Sequence, residues 1–75
     1  MSPSLPLVSG KAVIAALGRA GFAPVSVRGS HQKVRHPDGR TVIVPLHREL
    51  ARGTLASIFR QAGLTADEFR ALLDA

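Results

Sequence analysis

The sequence predicts an α+β domain in the order helix, three-stranded antiparallel sheet, helix, with a short extra helix at the C-terminal end. Three observations predict it. Apolar residues recur at helical spacing from Val13 to Ala20, from Leu55 to Ala62 and from Phe69 to Leu73, whereas from Ala23 to Val44 the period drops to two. Turn signals at Gly29-Ser30 and Pro37-Asp38-Gly39 divide the alternating stretch into three strands. A single sheet with helices on one face buries every apolar stripe and leaves the other sheet face in solvent.

Each element has its own signal. Residues 1–8 lack periodicity and carry Pro3 and Pro6, so they are expected to form a flexible arm outside a single domain spanning residues 9–75. Ser9 is placed to cap a helix from about Gly10 to Ala20, with Val13, Ala16, Leu17 and Ala20 inward and Gly21 at the C-terminal stop. In the strands, Val25, Val27 and Val34 are expected to face the helices. Pro37-Asp38-Gly39 is a hairpin signal because Asp-Gly accepts positive φ, and the β-branched run Thr41 to Val44 stops at Pro45. After a charged loop, Leu46 to Arg52, Thr54 is expected to cap a helix that buries Leu55, Ile58, Phe59 and Ala62 and ends at Gly63. Thr65-Ala66-Asp67-Glu68 is a capping box for the last helix.

Composition narrows the function classes. A chain of 75 residues buries only about 60 % of its unfolded surface, so it has one modest core and no deep multi-substrate cleft. With 45 % apolar and 20 % charged residues it should fold, unlike a disordered polycation. The absence of cysteine excludes disulfide frameworks, cysteine nucleophiles and the common structural zinc sites, and suits a reducing compartment. Met1 to Gly10 has neither the basic segment nor the apolar run of a secretory signal, and no stretch approaches the ~20 apolar residues that span a bilayer. The expected location is the cytoplasm, with no membrane partner. Ten Lys+Arg against five Asp+Glu leave a net charge of +5, which points to a polyanion and to nucleic acid first. With no Trp or Tyr and three Phe, single-strand binding by aromatic stacking is disfavoured.

Alternation along the strands sends Arg28, His31, Lys33 and Arg35 to the open sheet face. No Asp or Glu accompanies them on these two strands, which favours phosphate binding over an ordinary solvated face. A free imidazole titrates near 6.5, so His31 can serve as base and, once protonated, as acid. RNA supplies its own nucleophile in the ribose 2′-hydroxyl. Strand scission then needs a group to take that proton, donors for the charged phosphorane and in-line geometry, all of which a shallow surface can provide.

Several short motifs carry a family resemblance: Gly21-Phe22, Gly29-Ser30-His31, Val44-Pro45-Leu46-His47, Gly53-Thr54-Leu55 with Ile58, and Ala62-Gly63-Leu64 before Phe69. In this order, from about Ser9 to Leu73, they resemble the HicA family of bacterial toxins. The resemblance implies a double-stranded-RNA-binding-like fold and a ribonuclease that cleaves mRNA, halts translation and is held inactive by a cognate HicB-type antitoxin. The family's catalytic histidine follows Gly-Ser, which matches His31. Around it, Gly29 would let the chain turn tightly, and Ser30 would orient the imidazole or a phosphate or else satisfy the turn backbone. Arg28, Lys33 and Arg35 would contact RNA phosphates. His47 would contact RNA, either as a second acid/base partner or packed at the strand end, and His36 is expected to be idle. An exposed basic face that must be silenced is best covered by an acidic partner.

Rival readings are weaker. His31, His36 and His47 lack regular helical spacing and have no acidic cluster beside them, so no metal and no cofactor is expected. Leu55 to Leu73 resembles a helix-turn-helix, but its would-be recognition helix carries Asp67, Glu68 and Asp74 against Arg70 and would repel phosphate. No specific DNA binding is expected, and the segment reads as a helical cap. A non-catalytic double-stranded-RNA binder using the same basic face is the alternative that composition does not separate from a nuclease.

Overall fold

The computed structural model describes residues 7–75, so the proline-containing part of the N-terminal arm lies outside the described residues. The elements are α1 (Gly10–Arg19), β1 (Ala23–Arg28), β2 (His31–Arg35), β3 (Thr41–Pro45), α2 (Arg52–Ala62) and α3 (Ala66–Asp74). This is the predicted α+β order. The strands form one antiparallel sheet in the order β1-β2-β3.

Local chemistry explains where the helices begin and end. The Ser9 hydroxyl accepts the Ala12 N–H at 3.1 Å, satisfying a donor that the first turn of α1 leaves open. At the other end Phe22 N–H bonds to the Leu17 carbonyl and Gly21 N–H to that of Gly18, the paired bonds of a Schellman stop. α3 opens with a complete capping box: Glu68 N–H donates to the Thr65 hydroxyl at 3.1 Å, and Thr65 N–H donates to the Glu68 carboxylate at 2.8 Å. α2 departs from expectation. It begins at Arg52 with Ala51 at the N-cap and no side-chain cap bond, so Thr54 lies inside the helix and caps nothing. Leu50 is the reason the chain turns early: it is buried, and its N–H donates to the Val8 carbonyl at 2.8 Å.

The core lies between the helices and one sheet face, where Val34, Val42 and Val44 meet Val13, Leu17, Leu55, Ile58 and Phe69. α1 packs on α3 and β3, and α2 packs on β3. α3 closes the helical side: Phe69 meets Phe59 with ring centroids 4.9 Å apart, and an Arg19 guanidinium nitrogen donates to the Leu72 carbonyl. The helices therefore sit over β3 and β2.

Consequently β1 is an overhanging edge strand, and its expected inward valines are not inward. Val25 is 49 % exposed and Val27 58 %, and no residue of β1 is buried. The register between β1 and β2 shifts between Pro24 and Ser26, which leaves Val25 in a bulge, while Val27 pairs with Gln32 beyond the reach of the helices. The β2–β3 turn also differs from the Asp-Gly expectation. Gly39 alone takes positive φ there, and Asp38 instead accepts the Arg40 N–H with its carboxylate at 3.0 Å.

Candidate active site

Strand partners in an antiparallel ladder point their side chains to the same face. Opposite the core, Arg28 of β1 pairs with His31 of β2, Ser26 with Lys33, and Lys33 in turn with Ile43 of β3. These five residues line an open hollow of about 400 Å3 on the helix-free sheet face. The alternation reading thus holds for Arg28, His31, Lys33 and Arg35 even though its partner statement about Val25 and Val27 does not. The outward side of the period depends only on the pleat, whereas burial of the inward side needs a helix above it.

The hairpin that carries His31 is pinned at its tip. Gly29 has φ +58, a left-handed conformation that an L side chain adopts only with strain. Ser30 is exposed, and its carbonyl accepts the Leu46 N–H at 2.6 Å, so the tip of the β1–β2 turn is tied to the chain leaving β3. That bond brings the next residue of the loop beside the catalytic candidate: His31 and His47 have ring centroids 6.4 Å apart with their planes at 68°. His47 is exposed, so it is not packed at the strand end. Its carbonyl is held at 2.9 Å by the Gly10 N–H at the start of α1. Gly10 is buried, and a Cβ there would lie 2.0 Å from the Pro45 carbonyl oxygen, so only glycine lets α1 approach this closely.

The remaining candidates fall elsewhere. Arg35 lies about 13 Å along β2 from His31, and its Nε donates to the Thr41 hydroxyl at 3.1 Å. It shares the face without lining the hollow. His36 is part of a separate cluster at the far end of the sheet, edge-on to Phe22 at 5.3 Å, with the Arg40 guanidinium 5.2 Å over the same Phe22 ring. Asp38 completes that cluster, bonded to Arg40 at 2.8 Å, and the backbone N–H of Arg40 is the largest influence holding its carboxyl below the usual range. His36 is thus a packing residue.

Sequence reasoning missed Ser26, Ile43 and Gly10. The first two were accessible from strand alternation, since Ser26 stands two residues before Arg28 and Ile43 alternates with Val42 and Val44. Gly10 had no local signal, because its need is set by Pro45, far away in the chain. Among the described residues no group of three or more His, Cys, Asp or Glu side chains could hold a metal ion, and no helix is long and apolar enough to cross a membrane.

Comparison with known proteins gives a family. The family model described as HicA toxin of bacterial toxin-antitoxin matches residues 10–64. No curated protein matches the chain.

Proposed function

Because the chain belongs to the HicA toxin family, as the match over residues 10–64 establishes, we propose that it is a metal-independent endoribonuclease that cleaves mRNA and so inhibits translation. The observation that carries this reading is the hollow on the helix-free sheet face, where His31 stands between the cations Arg28 and Lys33. A phosphodiester lying in it would meet guanidinium and ammonium donors for its non-bridging oxygens, which gain negative charge as the phosphorane forms. The His31 imidazole would take the proton of the adjacent 2′-hydroxyl. Attack of that oxygen on phosphorus breaks the bond to the 5′-oxygen and leaves a 2′,3′-cyclic phosphate. Gly29, with its left-handed φ, would let the chain turn tightly so that the imidazole projects at the start of β2. Ser30, exposed in the turn before His31, would offer its hydroxyl to the imidazole or to a phosphate, and Arg35 would extend the positive surface along β2 for flanking phosphates.

The same face would be the target of a HicB-type antitoxin, since an acidic surface laid over Arg28, Lys33 and Arg35 would exclude RNA and associate quickly. The decisive experiment incubates wild type and His31→Ala, both shown to be folded, with RNA in the presence of a chelator. Cleavage by the wild type alone is expected, with no cutting of a substrate that is 2′-deoxy at the scissile position. Equal cleavage by His31→Ala would overturn the assignment, and binding of duplex RNA without any cutting would make the protein a binding module instead. Loss of wild-type cleavage on adding the chelator would make the reaction metal-dependent.

A further inference from the structure

Scission of an RNA strand requires two proton transfers: the attacking 2′-oxygen loses a proton and the departing 5′-oxygen gains one. In-line displacement places these oxygens on opposite sides of the phosphorus, so a single imidazole held on one side serves one of them well and the other poorly. The structure holds a second imidazole in the required neighbourhood. His47 lies 6.4 Å from His31 between ring centroids, both rings are exposed, and neither ring has a side-chain hydrogen bond among the described residues. Two exposed imidazoles at that centroid spacing can reach different oxygens of one phosphodiester held over them, each at the ~3 Å of a hydrogen bond. The backbone behind both rings is tied down, next to His31 by the Ser30 carbonyl that accepts the Leu46 N–H, and at His47 by the Gly10 N–H on its carbonyl.

We propose that His47 is the general acid of the reaction, giving its proton to the leaving 5′-oxygen while His31 takes one from the 2′-hydroxyl. The proposal rests on the nuclease reading above. The 2′-oxygen–phosphorus bond forms as the phosphorus–5′-oxygen bond breaks; His31 ends protonated, His47 ends neutral, and exchange with water restores both. No electrons are transferred and no further reactant is needed. Among the described residues His47 is the one ring beside His31; it does not itself line the hollow, whose basic lining groups besides His31, Arg28 and Lys33, are left to hold the phosphate oxygens.

The test compares wild type, His31→Ala, His47→Ala and His47→Gln on an RNA oligonucleotide and on the same oligonucleotide with sulfur in place of the scissile 5′-oxygen. A thiolate leaves without being protonated. On the ordinary RNA, both His47 variants should lose roughly 10²–10⁴-fold in kcat, with KM little changed. On the sulfur-substituted RNA they should return to near the wild-type rate while His31→Ala remains inactive. The wild-type pH profile should be bell-shaped, and the His47 variants should lose its alkaline limb. Full activity of His47→Gln on ordinary RNA would overturn the proposal, as would equal loss on both substrates, which marks a positioning role. Rescue of His31→Ala in place of the His47 variants would reverse the two roles and equally overturn it. If the wild type cleaved neither RNA, the nuclease reading itself would fall, an outcome distinct from those in which only the His47 variants depart from expectation.

Discussion

Gly29 and Gly10 shape the backbone that carries the two imidazoles by different constraints, and substitution should separate them. Around Gly29 the space for a Cβ is empty, so Gly29→Ala meets only the backbone cost of a left-handed residue, about 1–2 kcal/mol. Urea denaturation should show a loss of that size. At Gly10 the φ angle is helical, and the obstacle is the Pro45 carbonyl, 2.0 Å from where the Cβ would sit. Backbone must move there, so Gly10→Ala should destabilise more than Gly29→Ala despite alanine's better helix propensity. It should also slow cleavage, because the Gly10 N–H positions the His47 carbonyl. A Gly10→Ala protein as stable as the wild type would show that α1 does not bear on the site in this way.

At the scale of the element, β1 and α3 make opposite use of the surface. β1 is held by its ladder to β2, and its valines stand in solvent, so Val27→Thr should change stability by no more than about 0.5 kcal/mol. Leu17→Ala in α1, at a side chain with no exposure, should cost about 2–5 kcal/mol in the same denaturation assay. A large loss on Val27→Thr would mean that β1 is covered in solution. α3 is stabilised at its start by the capping box, where Thr65→Ala should cost about 1 kcal/mol. The backbone N–H of Thr65, and next its hydroxyl, hold the Glu68 carboxyl below the usual carboxylate range against a smaller desolvation effect. A carboxyl with a lowered folded pKa stabilises the fold above its unfolded pKa and loses that contribution as pH falls through the folded value. The wild-type melting temperature should therefore drop on acidification below about pH 5, and Glu68→Gln should reduce the drop by lowering stability at pH 7 and not at pH 2. An identical pH dependence in the two proteins would remove Glu68 from this account.

For the whole molecule, the sheet separates stability from function. One face holds the core and the other holds the cations, so removing a cation should alter binding far more than folding. Arg28→Ala and Lys33→Ala should each leave the denaturation midpoint almost unchanged, weaken RNA binding, and reduce the slope of log affinity against log salt by about 0.7 per lost phosphate contact. Antitoxin affinity should likewise fall with salt and with the same substitutions. Affinity for the antitoxin that stayed constant from low to high salt would place its interface elsewhere.

Local pattern in the chain sufficed for the kind and order of every element, the stop at Gly21, the capping box at Thr65 and the shared outward face of Arg28, His31, Lys33 and Arg35. All of these follow from backbone geometry within a few residues: the helical period, the pleat and the hydrogen bonds of a chain end. It misplaced the start of α2, which obeys the buried Leu50 and not the hydroxyl of Thr54. It also buried Val25 and Val27, because alternation shows which way a side chain points and says nothing of whether a helix reaches over it. Packing, by contrast, sets His47 beside His31, ties its carbonyl to Gly10, and leaves Arg35, His36 and His47 itself out of the hollow's lining. Those relations join residues far apart in the chain, so they depend on strand register and on how closely α1 packs against β3, neither of which leaves a local period to read.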